Sequence, residues 1–84
     1  MGSAEQVRDQ ALCLARLATA YVKAGEPEQA CTVIADLIAI ADGLGSARVA
    51  AQISELRACL VPWRKTPTVA DWLHRLDTFR NAQA

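Results

Sequence analysis

Residues Leu14 to Ala30 read LARLATAYVKAGEPEQA, and this stretch decides the fold. Leu14, Leu17, Ala18 and Tyr21 follow one another at spacings of 3, 1 and 3, which places them on one side of a helix. Ala30 lies nine residues beyond Tyr21, and Ile34 four further on. Between the two groups stand Gly25 and Pro27. Glycine takes the left-handed conformation that ends a helix without a Cβ penalty. Proline suits a first helical turn, where its missing N–H would have had no partner. The stretch therefore predicts two antiparallel helices joined by a tight turn. Small Ala18 and Ala30 let them approach closely, and Leu17, Tyr21, Ile34 and Leu37 fill the space around the contact.

Working outward, the first helix is expected over Ala4–Ala24. Ser3 and Gln6 have the spacing of a capping box. Its apolar stripe is Val7, Leu14, Leu17, Ala18, Tyr21 and Val22. In the second helix Glu26 and Glu28 sit where the helix dipole favours negative charge. Ala30, Val33, Ile34, Leu37, Ile38 and Ala41 form its stripe, which Cys31, Ala35 and Ile40 widen. A helix apolar over so much of its circumference is covered on more than one side. Gly43 and Gly45 end it. Ser46 caps a third helix, Ala47–Leu60, with the stripe Val49, Ile53, Leu56 and Leu60. Pro62 closes it, and Val61–Lys65 is a connector whose Trp63 packs down onto the helices. Thr66 and Pro67 open a fourth helix carrying Val69, Trp72, Leu73, Leu76 and Phe79. Asn81–Ala84 are expected to fray.

The chain has 84 residues, 52% of them hydrophobic and only 5% aromatic, with 17 alanines. That is enough for one packed core and favours helices over strands. The fold class read from the sequence is all-α, a single domain over 1–84. A first hairpin spans 4–44 and a second spans 46–81.

The signature stretch resembles a tetratricopeptide repeat, whose pattern is W-x₂-L-G-x₂-Y…A-x₃-F. Leu14 stands for the Trp, Ala18 for the Gly and Ile34 for the Phe, and Gly25 falls in the inter-helix turn. The resemblance covers about residues 11–44. One period later the signature positions hold Arg48, Ala51, Gln52 and Glu55, none of which fits. The second half is thus a degenerate repeat or a capping hairpin. The resemblance implies a right-handed helical array with a C-terminal capping helix. Such arrays need about three repeats to stabilise one another. The chain then either continues the repeats of a parent protein or associates with itself.

The wider wording narrows the resemblance. The runs RDQALCLARLATAYVKAGEPEQAC, IADGLGSARV and ELRACLVPWRKTPTVADWLHRLD are similar to the C-terminal ends of a group of bacterial transcriptional regulators. These carry an N-terminal helix-turn-helix of the xenobiotic-response-element type and a C-terminal tetratricopeptide region. The resemblance implies a sensing, partner-binding or self-association region of a transcription regulator, without the DNA-binding domain.

Charge bounds the partners. Nine basic residues balance nine acidic ones, which argues against a general nucleic-acid binder. The balance is uneven along the chain: residues 1–45 carry three basic and six acidic groups, residues 46–84 the reverse. Solvated faces by chance are one explanation. A head-to-tail or two-fold contact joining opposite charges is the other. No apolar run reaches the roughly 18 residues of a membrane helix. No signal-peptide core follows Met1, and three cysteines without a CxxC do not make a disulfide framework. The expected setting is a reducing cytoplasm.

In tetratricopeptide arrays the first helix of each pair lines a concave groove. The resemblance thus implies a partner- or ligand-binding face at Leu12, Ala15, Arg16, Thr19, Val22 and Lys23. The peptide-carboxylate clamp of some family members uses Lys and Asn on this surface, and Ala15 and Thr19 depart from it. The same six residues would otherwise pack on a preceding repeat or a second subunit.

Other constellations are weaker. His74 with Cys59 and Asp71 or Asp77 has the residue types of a nucleophile–base–orienter set, but no nucleophile elbow or glycine-rich turn accompanies it. Metal binding by His74, Asp77 and a cysteine falls short of the three or four ligands zinc requires. Cys13, Cys31 and Cys59 read as small core or interface residues, with a Cys13–Cys31 redox pair as the sharper alternative. A recognition helix presenting Ser46, Arg48, Gln52 and Arg57 would follow an acidic helix with Asp36 and Asp42, which phosphates disfavour. Arg57, Arg64, Lys65, Arg75 and Arg80 make the second half basic, as a solvated face or a contact for an acidic partner. The expectation is a non-catalytic protein-binding chain with no cofactor and no metal. It forms a homodimer when it stands alone, with peptide or small-ligand sensing as the alternative.

Overall fold

Gly25, with φ of 80°, reverses the chain after the first helix. The Gly25 N–H donates to the Val22 carbonyl at 3.0 Å and the Glu26 N–H to the Tyr21 carbonyl at 2.8 Å. These two bonds are the Schellman pair, which satisfies carbonyls the helix leaves open. Pro27 begins the next helix immediately. The computed structural model describes residues 3–42 and 44–83, with the side chains at 3–5, 80, 82 and 83 outside that description. The four helices are α1 (Ser3–Lys23), α2 (Pro27–Ala41), α3 (Ala47–Leu60) and α4 (Pro67–Gln83). A 3₁₀ turn, Val61–Trp63, follows α3. The described residues contain no strand.

The helix boundaries follow local chemistry. The Ser46 hydroxyl accepts from the Val49 N–H at 3.3 Å, capping α3 as its position predicts. Gly45 precedes it with φ of 66°. The 3₁₀ turn ends with the Arg64 N–H on the Val61 carbonyl, and the Thr66 N–H reaches the Trp63 carbonyl at 3.0 Å. The Ala70 N–H then opens the α4 ladder on the Thr66 carbonyl. Of the segment expected to fray, Asn81–Gln83 are the last residues of α4 and Ala84 lies outside the described residues. The Ser3 cap and the stop at Gly43 lie outside the described side chains and residues.

α1 packs on both α2 and α3, while α4 rests on α2 and α3. The result is a slab of 42 × 25 × 17 Å. In so thin a body each helix is covered on part of its surface only. The core is Ala11, Leu12, Ala15, Ala18 and Val22 of α1, and Ala30, Cys31, Ile34, Leu37 and Ala41 of α2. Val49, Ile53, Leu56 and Leu60 of α3 and Val69 and Leu76 of α4 complete it. Each buried Leu, Ile or Val contributes about 1.5–3 kcal/mol over its exposed state. Among the described residues no polar or charged side chain is buried.

Two expectations about the core are corrected. Leu17, predicted to fill the α1–α2 contact, is 44% exposed. α1 is gripped from two sides and turns its alanine-rich face inward, which carries Leu17 out. Trp63 is 37% exposed rather than packed down. The 3₁₀ turn leaves it at the edge of the slab, over a hollow beside the α1–α2 turn. Ala35, expected to widen the α2 stripe, is exposed, and Cys13, read as a core or interface residue, is exposed and so lies outside the core.

Candidate functional site

The residues that could meet a partner are set by how α1 is rotated. Its buried positions, 11, 15, 18 and 22, form one line at helical spacing. Two other surfaces lie beyond that line: a groove against α3 and an outer flank, which meet at Ala20.

The groove holds Arg16, Thr19, Ala20 and Lys23 of α1 opposite Gln52 and Glu55 of α3, around a shallow space of about 370 Å³. Three of the six predicted groove residues therefore lie together at this surface. The Thr19 hydroxyl donates to the Ala15 carbonyl at 2.8 Å, which holds it against its own helix. The other three, Leu12, Ala15 and Val22, are corrected to core positions, 6%, 0% and 4% exposed. α3 lies close enough to α1 to cover everything one step inward of the groove's rim. Gln52 and Glu55 complete the far wall. The sequence offers Glu55 only as a misfit to the repeat signature and Gln52 as that and as a recognition-helix candidate, although two polar residues three apart beside the α3 stripe mark such a rim.

The outer flank is Gln6, Gln10, Cys13, Leu17, Ala20 and Ala24, all exposed and none charged. Half-buried Leu14 and Tyr21 border it on the α2 side and pack against the core. Arg16 and Lys23, at the rim of the groove, border it on the other. The flank thus runs the length of α1 with an apolar margin on one edge and a charged margin on the other.

No protein-family model matches the chain, and neither a curated protein nor a solved structure does.

A third surface lies between α2 and α4. Ile38, Trp72 and Phe79 line an open hollow of about 550 Å³. Arg75 covers part of it, with its guanidinium 4.7 Å from the Trp72 ring centre and 3.0 Å from the Asp71 carboxylate. On the α3–α4 side Arg57 makes two bonds to the Asp77 carboxylate, at 2.6 and 3.0 Å. That hydrogen bonding raises the Arg57 pKa above its ordinary value.

The remaining candidates make other contacts or face solvent. His74 is exposed, and its carbonyl accepts from the Thr78 hydroxyl. Asp71 is held by Arg75 and Asp77 by Arg57. Ser46 caps α3 and Arg57 holds Asp77, so two of the four recognition-helix candidates carry structural contacts. Cys13, Cys31 and Cys59 are free thiols, respectively exposed, buried and half-buried. Burial first, then Glu28 and Asp71, pushes the Cys31 thiol up. Cys31 is therefore held protonated in the core while Cys13 faces solvent. Among the described residues no group of three His, Cys, Asp or Glu stands together to hold a metal ion. Among the described residues no helix is long and apolar enough to cross a membrane.

Proposed function

We propose that this chain is a non-catalytic protein–protein interaction module that associates with itself. We further propose that it is the tetratricopeptide-like region of a bacterial transcriptional regulator, working in the cytoplasm. The observation that carries the reading is the outer flank of α1: exposed along its whole length, uncharged, and centred on Leu17 at 44% exposure. Charged residues normally cover the solvent face of a helix, and a face without them marks a contact. Homodimers with two-fold symmetry are the commonest way to cover one such face. Support for the tetratricopeptide-like reading comes from Ala18 and Ala30, both fully buried in the α1–α2 hairpin, and from Gly25 in its left-handed turn.

Light scattering coupled to size exclusion, over a concentration series, tests it. A dimer that persists on dilution is expected. A monomer throughout the series overturns self-association.

The α1–α3 groove favours a second reading, in which Arg16, Lys23, Gln52 and Glu55 hold a peptide or small polar ligand. Thr19→Arg would fill that groove. Ligand binding should then be lost without a change in oligomeric state, and binding that survives the substitution removes this reading.

A further inference from the structure

We infer that two copies of this chain pair through the outer flank of α1, with the two α1 helices antiparallel about a two-fold axis. The inference rests on the self-association proposed above and names its surface and geometry.

The flank residues Gln6, Gln10, Cys13, Leu17, Ala20 and Ala24 are spaced 4, 3, 4, 3 and 4. Alternating threes and fours give the 3.5-residue period at which one helix keeps a single seam facing another. The period continues in the margins. Asp9, Arg16 and Lys23 recur every seven residues along one edge, and Val7, Leu14 and Tyr21 every seven along the other. Asp9, Arg16 and Lys23 are exposed, while Val7, Leu14 and Tyr21 are half-buried. The seam therefore has one charged edge and one apolar edge.

That asymmetry decides the orientation. A two-fold axis parallel to the helices sets each edge against the partner's opposite edge, charged groups against Val7, Leu14 and Tyr21. A two-fold axis perpendicular to the helices sets like edges together. Leu14 then meets the partner's Leu14, and Val7 meets the partner's Tyr21. On the other edge Asp9 meets the partner's Lys23, twice by symmetry. Within the seam Leu17 seats on the partner's Cys13, where a small side chain leaves room for it. Gln10 lies opposite the partner's Ala20, and Gln6 opposite the partner's Ala24. Arg16 faces the partner's Arg16 near the axis, the one like-charge contact in the arrangement.

The register has a chemical signature. The two copies of Cys13 sit four residues out of step, about 6 Å along the helix. With the gap between the helices added, this exceeds the ~7 Å Cα separation a disulfide spans. Position 17 of one copy lies directly against Cys13 of the other. Mild oxidation of Leu17→Cys should therefore give a covalent dimer, with peptide mass mapping showing position 13 joined to position 17. Under the same oxidation the wild type should stay uncrosslinked. A wild-type Cys13–Cys13 crosslink would mean a parallel seam and overturn the inference while leaving self-association intact. A light-scattering dimer that yields no crosslink in Leu17→Cys overturns it equally, since another face must then be buried. A wild-type monomer overturns both this pairing and the reading it rests on.

Because Leu17→Cys removes the largest side chain of the seam, a charge exchange provides an independent test. Lys23→Asp should weaken the dimer about tenfold, as two ion pairs are replaced by two repulsions. Adding Asp9→Lys should restore it. Asp9 and Lys23 are fourteen residues apart on one helix and cannot meet within a copy, so restoration requires the antiparallel partner. No restoration overturns the geometry.

Discussion

The two hairpins reach the same architecture by different packing. α1 and α2 supply ten buried core residues, of which five are alanines and one is a cysteine. α3 and α4 supply six, all Val, Ile or Leu. Small residues bring two backbones close together, so the first hairpin is held by a long, tight contact and a three-residue turn. Among its described residues the second has no alanine in its core. It is held apart by large side chains, connected through a 3₁₀ turn, and joined at its outer side by Arg57 and Asp77. The first hairpin should therefore be broken by adding volume and the second by removing it.

The largest effect is expected at Leu76. Among the described side chains Val69 and Leu76 are the fully buried residues of α4, so Leu76→Ala removes a principal anchor and leaves a cavity. A cost of about 2–5 kcal/mol is expected in urea denaturation. Hydrogen exchange sharpens the point: α4 amides should lose protection before those of α1 and α2. Equal loss everywhere would mean that the two halves form one cooperative unit, and the contrast between them would concern packing alone.

Enlarging the first hairpin comes next. Ala18 is fully buried at the α1–α2 contact, so Ala18→Leu must push the helices apart at about 1–3 kcal/mol. Ala47→Leu, on the exposed face of α3, should stay within about 0.5 kcal/mol. A midpoint shift at Ala47 as large as that at Ala18 would show that close approach is not what holds α1 to α2.

What the sequence made legible divides along the same line. In α3 the stripe Val49, Ile53, Leu56 and Leu60 is buried residue for residue as its spacing predicts. Apolar and polar residues alternate there with little ambiguity. The Gly25 turn, Pro27 and the Ser46 cap were equally readable, because each acts within its own few residues. α1 was harder. Between Ala11 and Val22 most positions are Ala or Leu, so several stripes fit a helix. Weight given to large residues selected Leu17, but packing selected the alanines. The choice depends on α3 lying against α1, a contact that no local spacing encodes. The same contact explains the candidate site. It buries Leu12, Ala15 and Val22 and leaves Arg16, Thr19 and Lys23 on the rim with Gln52 and Glu55.

The turns give a smaller test. Gly25 and Gly45 both have positive φ, and a Cβ at either would meet no atom within 4 Å. Only backbone strain then separates Gly from Ala. Gly25→Ala and Gly45→Ala should each cost about 1 kcal/mol. A much larger loss at Gly25 would show that the Schellman turn, with its bonds from Gly25 and Glu26, holds the first hairpin's geometry beyond its φ angle.

The smallest effect is expected at the ion pair of the second hairpin. Arg57 and Asp77 make two bonds, yet their side chains are 31% and 43% exposed. Water screens a pair this open, so Asp77→Asn should cost about 0.2–1 kcal/mol in low salt. Added salt weakens the wild-type pair and leaves the variant almost unaffected, so the difference between them should shrink as ionic strength rises. Stability measured in two salt concentrations checks the sign directly. A loss that is large and independent of salt would mean that Asp77 holds α4 on α3 through geometry rather than charge. The second hairpin would then depend on a specific contact as closely as the first depends on its alanines.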